Sequence, residues 1–185
     1  MAKAIAAGVE SLPDAESLVR RVPKVSTTIE RVDQPVPDSG APYVEVSELN
    51  GVDGLILGGP THFGNFSAAL KHFLDSTTSD WLAGTLVGKP AAVFTSTGSL
   101  HGGQEATLLS AHIPLLHHGM VIVGLPYTSS NLMRTQSGGT PYGASHHAGE
   151  RGDNPVDAIE SALCKQLGAR VATVAAALKS NGAVS

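Results

Sequence analysis

The sequence predicts an α/β fold, an open parallel sheet with helices on both faces. Three observations carry that expectation. Short apolar runs at Gly54–Gly58, Pro90–Phe94 and Met120–Gly124 are too brief for helices, and the first two run into loops rich in glycine, proline and hydroxyl side chains. Segments with apolar residues at three- and four-residue spacing separate them. Helices alternating with strands are the pattern of a sheet whose parallel strands are joined by helical crossovers.

Taken in order, Ala4, Ile5, Gly8 and Val9 open the chain at helical spacing. Leu12-Pro13-Asp14 reads as a turn, Glu16–Val22 as a short strand ended by Pro23, and Lys24–Tyr43, with three prolines and no period, as a surface loop. Val44–Asn50 suits a short helix. After the strand Gly54–Gly58 and its loop, Phe66, Leu70, Phe73 and Leu74 form an apolar stripe with Asn65 at or near its N-cap. Ser76–Gly88 reads as a loop holding Trp81, the only tryptophan. Pro90–Phe94 then runs into Thr95–Gly103, and Gln104–His118 is a helix bent at Pro114. Met120–Gly124 reads as the last strand and Leu125–Asn154 as a long loop. Val156, Ile159, Leu163, Leu167, Val171, Val174 and Leu178 mark a closing helix.

A chain of 185 residues with 42% hydrophobic composition is expected to form one domain, residues 1–185, with a substantial core. The net charge of -4 and the absence of any basic run beyond Arg20-Arg21 argue against a nucleic-acid partner. The single cysteine, Cys164, has no partner for an internal disulfide and fits a helix interior in a reducing compartment. No basic segment followed by a sustained apolar run opens the chain, and no stretch reaches about 18 apolar residues, so a cytoplasmic location without membrane insertion is expected.

The chemistry concentrates in two loops, Gly59–Asn65 and Thr95–Gly103, each leaving the carboxyl end of a strand, where open α/β sheets bind their ligands. Both offer backbone N–H groups, hydroxyls and apolar surface, and neither offers a carboxylate. That lining suits a flat, electron-rich, hydrogen-bonding ligand better than acid–base hydrolysis. The adjacent pairs His117-His118 and His146-His147 lack the i, i+4 spacing of metal-binding helices, and no metal is expected. Gly-x-Ser-x-Gly does not occur, which argues against a serine hydrolase.

Pro60-Thr61-His62-Phe63-Gly64-Asn65, Phe73-Leu74-Asp75, Ser96-Thr97-Gly98 through Gly102-Gly103-Gln104-Glu105, His117-His118-Gly119-Met120 and Gly138-Gly139-Thr140-Pro141-Tyr142-Gly143-Ala144 occur in the order found in the WrbA family, which the chain resembles from Met1 to about Leu178. The resemblance implies a flavodoxin-like sheet of order 2-1-3-4-5, a homotetramer with sites between subunits, and FMN-dependent NAD(P)H:quinone oxidoreductase activity. It implies that Pro60, Thr61, His62, Phe63, Gly64 and Asn65 form the first flavin-ring loop, with His62 where arginine commonly stands. Ser96, Thr97, Gly98, Ser99, Leu100, His101 and Gly102 would form the second. His118 matches a histidine that touches the flavin, and Trp81 an aromatic bordering the substrate cavity from a neighbouring subunit. The implied chemistry is hydride transfer from NAD(P)H to the flavin and then two-electron reduction of a quinone, with no protein nucleophile.

In that family a strand and a Ser/Tyr-rich turn precede the first helix, and the turn holds the FMN phosphate at the helix N-terminus. The expectation from Met-Ala-Lys-Ala-Ile-Ala-Ala-Gly is that Met1 corresponds to a position inside that helix. Two readings of the chain as written follow. One is the quinone reductase with weakened FMN affinity; the alternative is a non-catalytic flavodoxin-like tetramer that binds flavin weakly or not at all.

Overall fold

The structure, a computed structural model, describes residues 1–24 and 39–180. Residues 25–38 of the surface loop expected at Lys24–Tyr43 lie outside the described residues. The helices are α1 (Ala2–Val9), α2 (Ala68–Ser76), α3 (Thr78–Ala83), α4 (Gln104–His117), α5 (Ser130–Arg134) and α6 (Ala158–Ser180). The strands are β1 (Leu55–Pro60), β2 (Pro90–Thr97), β3 (Val121–Ile122) and β4 (Ala144–His147).

Every pairing among these strands is parallel. β1 runs beside β2 from Leu55 opposite Ala91 to Pro60 opposite Ser96. On the other side of β2, β3 pairs with its beginning (Pro90 opposite Val121) and β4 with its end (Phe94 opposite Ala144, Thr97 opposite His147). Since β1 covers one side of β2 along its length, β3 and β4 share the other, and residues 123–143 leave the sheet and return to it.

β2 is buried on both faces, and its residues alternate between two cores. Ala91 and Val93 meet Leu70, Phe73, Leu108 and Leu115 from α2 and α4. Ala92 meets Ile5, Leu163, Leu167 and Val171 from α1 and α6. Leu108, Leu115, Leu163 and Leu167 are fully buried, and each contributes about 1.5–3 kcal/mol relative to exposure. On the second face the backbones of α1 and α6 touch. A Cβ on Gly8 would stand 1.9 Å from the Lys165 carbonyl oxygen, and one on Gly168 2.1 Å from that of Ile5, so only glycine fits at either position.

Several segments differ from the sequence reading. Glu16–Val22 is reduced to one parallel bridge between Arg21 and Tyr43, because Leu18 and Val19 are exposed and no described strand buries them. Val44–Asn50 is a 3₁₀ turn, Val46–Gly51, closed by a Glu45/Glu48 capping box. α2 starts after its N-cap Ser67, so Asn65 lies two residues earlier, its Oδ1 accepting the Phe66 N–H at 2.8 Å. The expected loops at 76–88 and 125–154 contain α3, α5 and β4. The last of these is a strand written Ala-Ser-His-His, polar in sequence and buried by its neighbours. Cys164 is fully buried in α6, and burial pushes its thiol up to about 11, which leaves it inert.

Candidate functional site

The two ligand-loop candidates meet where β1 and β2 end. In the first, His62 and Asn65 close a tight turn by exchanging backbone hydrogen bonds of 2.7 and 3.1 Å. That turn puts Phe63 at φ 54° with its ring fully in solvent. In the second, the Thr97 hydroxyl donates to the Ser99 carbonyl at 2.8 Å, and the Gly102 N–H returns to the same carbonyl at 3.0 Å. Gly103 takes φ 94°, and a Cβ there would lie 3.3 Å from Gly64 Cα, so its glycine lets the loops touch. The Thr61 N–H donates to the Ser96 carbonyl at 2.9 Å, and the Thr61 and Thr107 hydroxyls bond at 2.6 Å.

Closed in this way, the loops keep donors free. The N–H groups of Phe63, Gly64, Gly98, Ser99, Leu100 and His101 have no partner among the described residues. They are a row of donors of the kind that cradles an electron-rich ligand edge. Beside them, a cavity of about 310 Å³ opens between α1 and the ends of β1 and β2, lined by Met1, Ala2, Gly59, Pro60, Ser96 and His146 among others.

The second loop is backed by β4 and the start of α6. The Ala148 N–H donates to the Thr97 carbonyl at 2.8 Å, and the Gly149 carbonyl lies 3.5 Å from where a Cβ on Gly98 would stand. Behind this turn is Glu160, whose buried carboxylate accepts from the N–H groups of Gly138 (2.9 Å), His147 (3.0 Å) and Asp157 (3.0 Å) and from the His146 Nδ1 (2.8 Å). Burial pushes the Glu160 carboxyl up, but the Asp157 and His147 N–H groups and the His146 ring outweigh it together and hold the group below its ordinary 4.5. Asp157 returns the bond, accepting the Glu160 N–H at 2.8 Å. The Ser137 hydroxyl and that N–H hold the Asp157 carboxyl below its ordinary 3.8. This network was missed in the sequence, although Asp157-Ala158-Ile159-Glu160 ahead of the final apolar stripe is a readable capping-box signal. Gln104 was missed as well: it is buried and accepts the Ser145 hydroxyl at 2.5 Å, while its Nε2 has no partner among the described residues.

Trp81 and His118 sit together at the opposite end of α4, whose 14 residues span about 21 Å from the second loop. The Trp81 Nε1–H donates to the His117 carbonyl at 2.8 Å. The Thr77 hydroxyl gives its proton to the Leu74 carbonyl at 2.7 Å, so its oxygen accepts from His118 Nε2 at 3.0 Å. The ring proton therefore sits on Nε2, and the buried Nδ1 lone pair has no partner among the described residues. Burial pushes the His118 pKa down, partly offset by Asp80. Within one chain, the structure joins Pro60–Asn65 to Ser96–Gly102 and does not bring His118 or Trp81 to them.

Paired glycine-rich loops above the carboxyl ends of a parallel sheet covered by helices on both faces define a flavodoxin-like α/β protein. Structural likeness agrees. An archaeal flavodoxin superposes with a TM-score of 0.57 at 16% identity, over 95% of this chain and 87% of that one. A flavodoxin, WrbA-like protein from Agrobacterium tumefaciens gives 0.54 at 23% identity, over 71% of each. Residues 28–132 match the family described as NADPH-dependent FMN reductase. Proteins named NAD(P)H dehydrogenase (quinone) from Geotalea uraniireducens and Geobacter sulfurreducens are each 43% identical, over 96% of this chain and 91% of theirs. The chain belongs to this family of flavodoxin-like, WrbA-type NAD(P)H dehydrogenases (quinone). Among the described residues no three His, Cys, Asp or Glu side chains gather as a metal site, and no helix is long and apolar enough to cross a membrane.

Proposed function

We propose that the protein is an FMN-dependent NAD(P)H:quinone oxidoreductase. The observation that carries this reading is the row of unengaged N–H donors at Phe63–Gly64 and Gly98–His101, on two loops locked together by the Gly103–Gly64 approach. The residues present suit the flavin ring. Pro60, Thr61, His62, Phe63, Gly64 and Asn65 would hold one edge, and Ser96, Thr97, Gly98, Ser99, Leu100, His101 and Gly102 the other. FMN, when bound, supplies hydride acceptance and two-electron delivery. The chain's part is to orient it: the loop N–H groups stabilise negative charge on the ring, and the exposed Phe63 ring offers a wall against which flat substrates stack. No carboxylate stands in either loop, so no side-chain acid is assigned to the reaction.

His118 and Trp81 enter the reading through a second copy of the chain. Leu109, Ile113 and Leu116 form an exposed stripe along α4, continued by Leu82 and the half-exposed Trp81. A two-fold contact along that stripe sets the loop end of one α4 against the His118 end of the other. The half-exposed Trp81 ring then borders the partner's site, with the buried His118 behind it, in a homotetramer built from such pairs.

The test is titration of the purified chain with FMN, followed by NADH and NADPH oxidation with a soluble quinone and mass determination in solution. Yellow protein, quinone-dependent turnover and a mass of four chains are expected. A colourless, inactive tetramer would establish the non-catalytic alternative instead.

A further inference from the structure

His146 is buried at the junction of β4 with the turn that backs the second loop, and it lines the cavity at the ends of β1 and β2. Its two ring nitrogens face oxygens that can only accept: Nδ1 meets the Glu160 carboxylate at 2.8 Å and Nε2 meets the Asn154 carbonyl at 3.1 Å. Both contacts are hydrogen bonds at once only when both nitrogens donate. The Asn154 N–H closes the turn onto the Ala148 carbonyl at 2.9 Å, and its side-chain amide donates to the His147 carbonyl at 3.2 Å. Ala148 in turn is bonded to Thr97, at the root of the second loop.

We propose that Glu160 and His146 are positioning residues that lock the turn 148–154, and through the Ala148–Thr97 bond fix the backbone of Gly98–His101 in its ligand-ready shape. The chain of contacts is continuous: carboxylate to imidazole, imidazole to Asn154, Asn154 to Ala148, Ala148 to Thr97. Glu160 does not depend on His146 for its burial, because three backbone N–H groups already hold it. The ring therefore adds a link to the turn rather than a requirement of the core. The other ionisable groups facing the pair are Asp157, which caps the same helix turn, and Cys164, one turn further along α6. The ligand-binding part of this inference rests on the flavin reading; the lock itself does not.

Amide hydrogen exchange on the full chain tests the lock without ligand. In His146→Gln the new side chain can donate to the carboxylate or to the carbonyl but not span both. Protection of the Ala148 and Asn154 N–H groups is expected to fall at least tenfold while that of Leu108 in α4 stays within twofold. In the unaltered protein the same two amides should lose protection before α4 as the pH falls and Glu160 takes up a proton. Uniform loss across the chain, or unchanged protection at Ala148, overturns the proposal. FMN titration is the separate arm: His146→Gln should weaken binding about tenfold, and equal affinity despite a loosened turn refutes the link to the ligand loop. If the unaltered chain binds no FMN, the function fails while the exchange result still decides the lock.

Discussion

The cap around Glu160 and the loops at 60–65 and 96–103 are neighbours built on opposite terms. In the cap, one buried carboxylate answers three backbone N–H groups and an imidazole, and its helix partner Asp157 is answered in return. In the loops, backbone N–H groups at Phe63, Gly64 and Gly98–His101 are answered by nothing in the described chain. A buried polar group must find its partner within the fold, or it costs about 1–3 kcal/mol. A loop at the surface can leave donors to water, and so holds them ready for a ligand. On the proposed reading the first region governs stability and the second binding, and substitutions in each should separate the two properties.

The largest effect is expected at Glu160. Glu160→Leu removes the acceptor of four donors and leaves those of Gly138 and His146 buried, and it should lower the unfolding free energy by about 3–5 kcal/mol, read as a shift in the urea midpoint. A change under 1 kcal/mol would mean that water reaches these donors. Gly103→Val inverts the pattern. The left-handed backbone at φ 94° makes a β-branched residue cost about 1–3 kcal/mol, while the side chain wedges the loops apart at Gly64. FMN affinity should drop at least a hundredfold, and intact affinity would separate the ligand from this pair of loops.

Acid should unfold the protein in two stages, because depressed histidines and depressed carboxylates lose their contribution in different windows. His112 and His118 are held neutral by burial, so as pH falls through their ordinary 6.5 the unfolded chain takes up protons that the folded one refuses, and stability declines. Glu160 and Asp157 stay ionised when folded, so their contribution is whole above the ordinary carboxylate range and is lost as pH falls through their lowered values. His118→Gln should shrink the upper stage to the His112 contribution and leave the lower one in place, as measured by thermal midpoints from pH 8 to pH 3. Loss of the lower stage in that variant would contradict the assignment.

Much of the fold is legible in the sequence because its signals are local. The stripe from Ile159 to Val174 and the run Pro90–Phe94 each announce their element by period and length, and both are buried where expected. β4 was not legible, since Ala-Ser-His-His has no apolar pattern and becomes a strand only through the edge that β2 offers. The two loops were legible from their composition as loops leaving the carboxyl ends of β1 and β2. Their mutual closure through Gly103 and Gly64 was not, since it depends on a contact between residues 39 positions apart in the chain. Apart from the local Asp157 cap, the Glu160 network hid for the same reason: Gly138 and His146 converge on it only after the chain has folded back on itself.

The smallest effect distinguishes side-chain from backbone recognition within the first loop. His62 and Asn65 hold their turn through backbone bonds alone, and the His62 side chain is exposed, so His62→Arg should change stability by no more than about 0.5 kcal/mol. If the ligand edge lies beside this position, a permanently charged guanidinium adds a forked donor that the imidazole lacks. A gain of roughly three- to tenfold in FMN affinity then follows, equivalent to about 0.7–1.4 kcal/mol, and it should shrink as salt is raised because the position is open to solvent. An affinity unchanged even at low salt would show that this edge is read by the N–H groups of Phe63 and Gly64 alone, and the contrast between the open loops and the closed cap would then be entirely one of backbone donors.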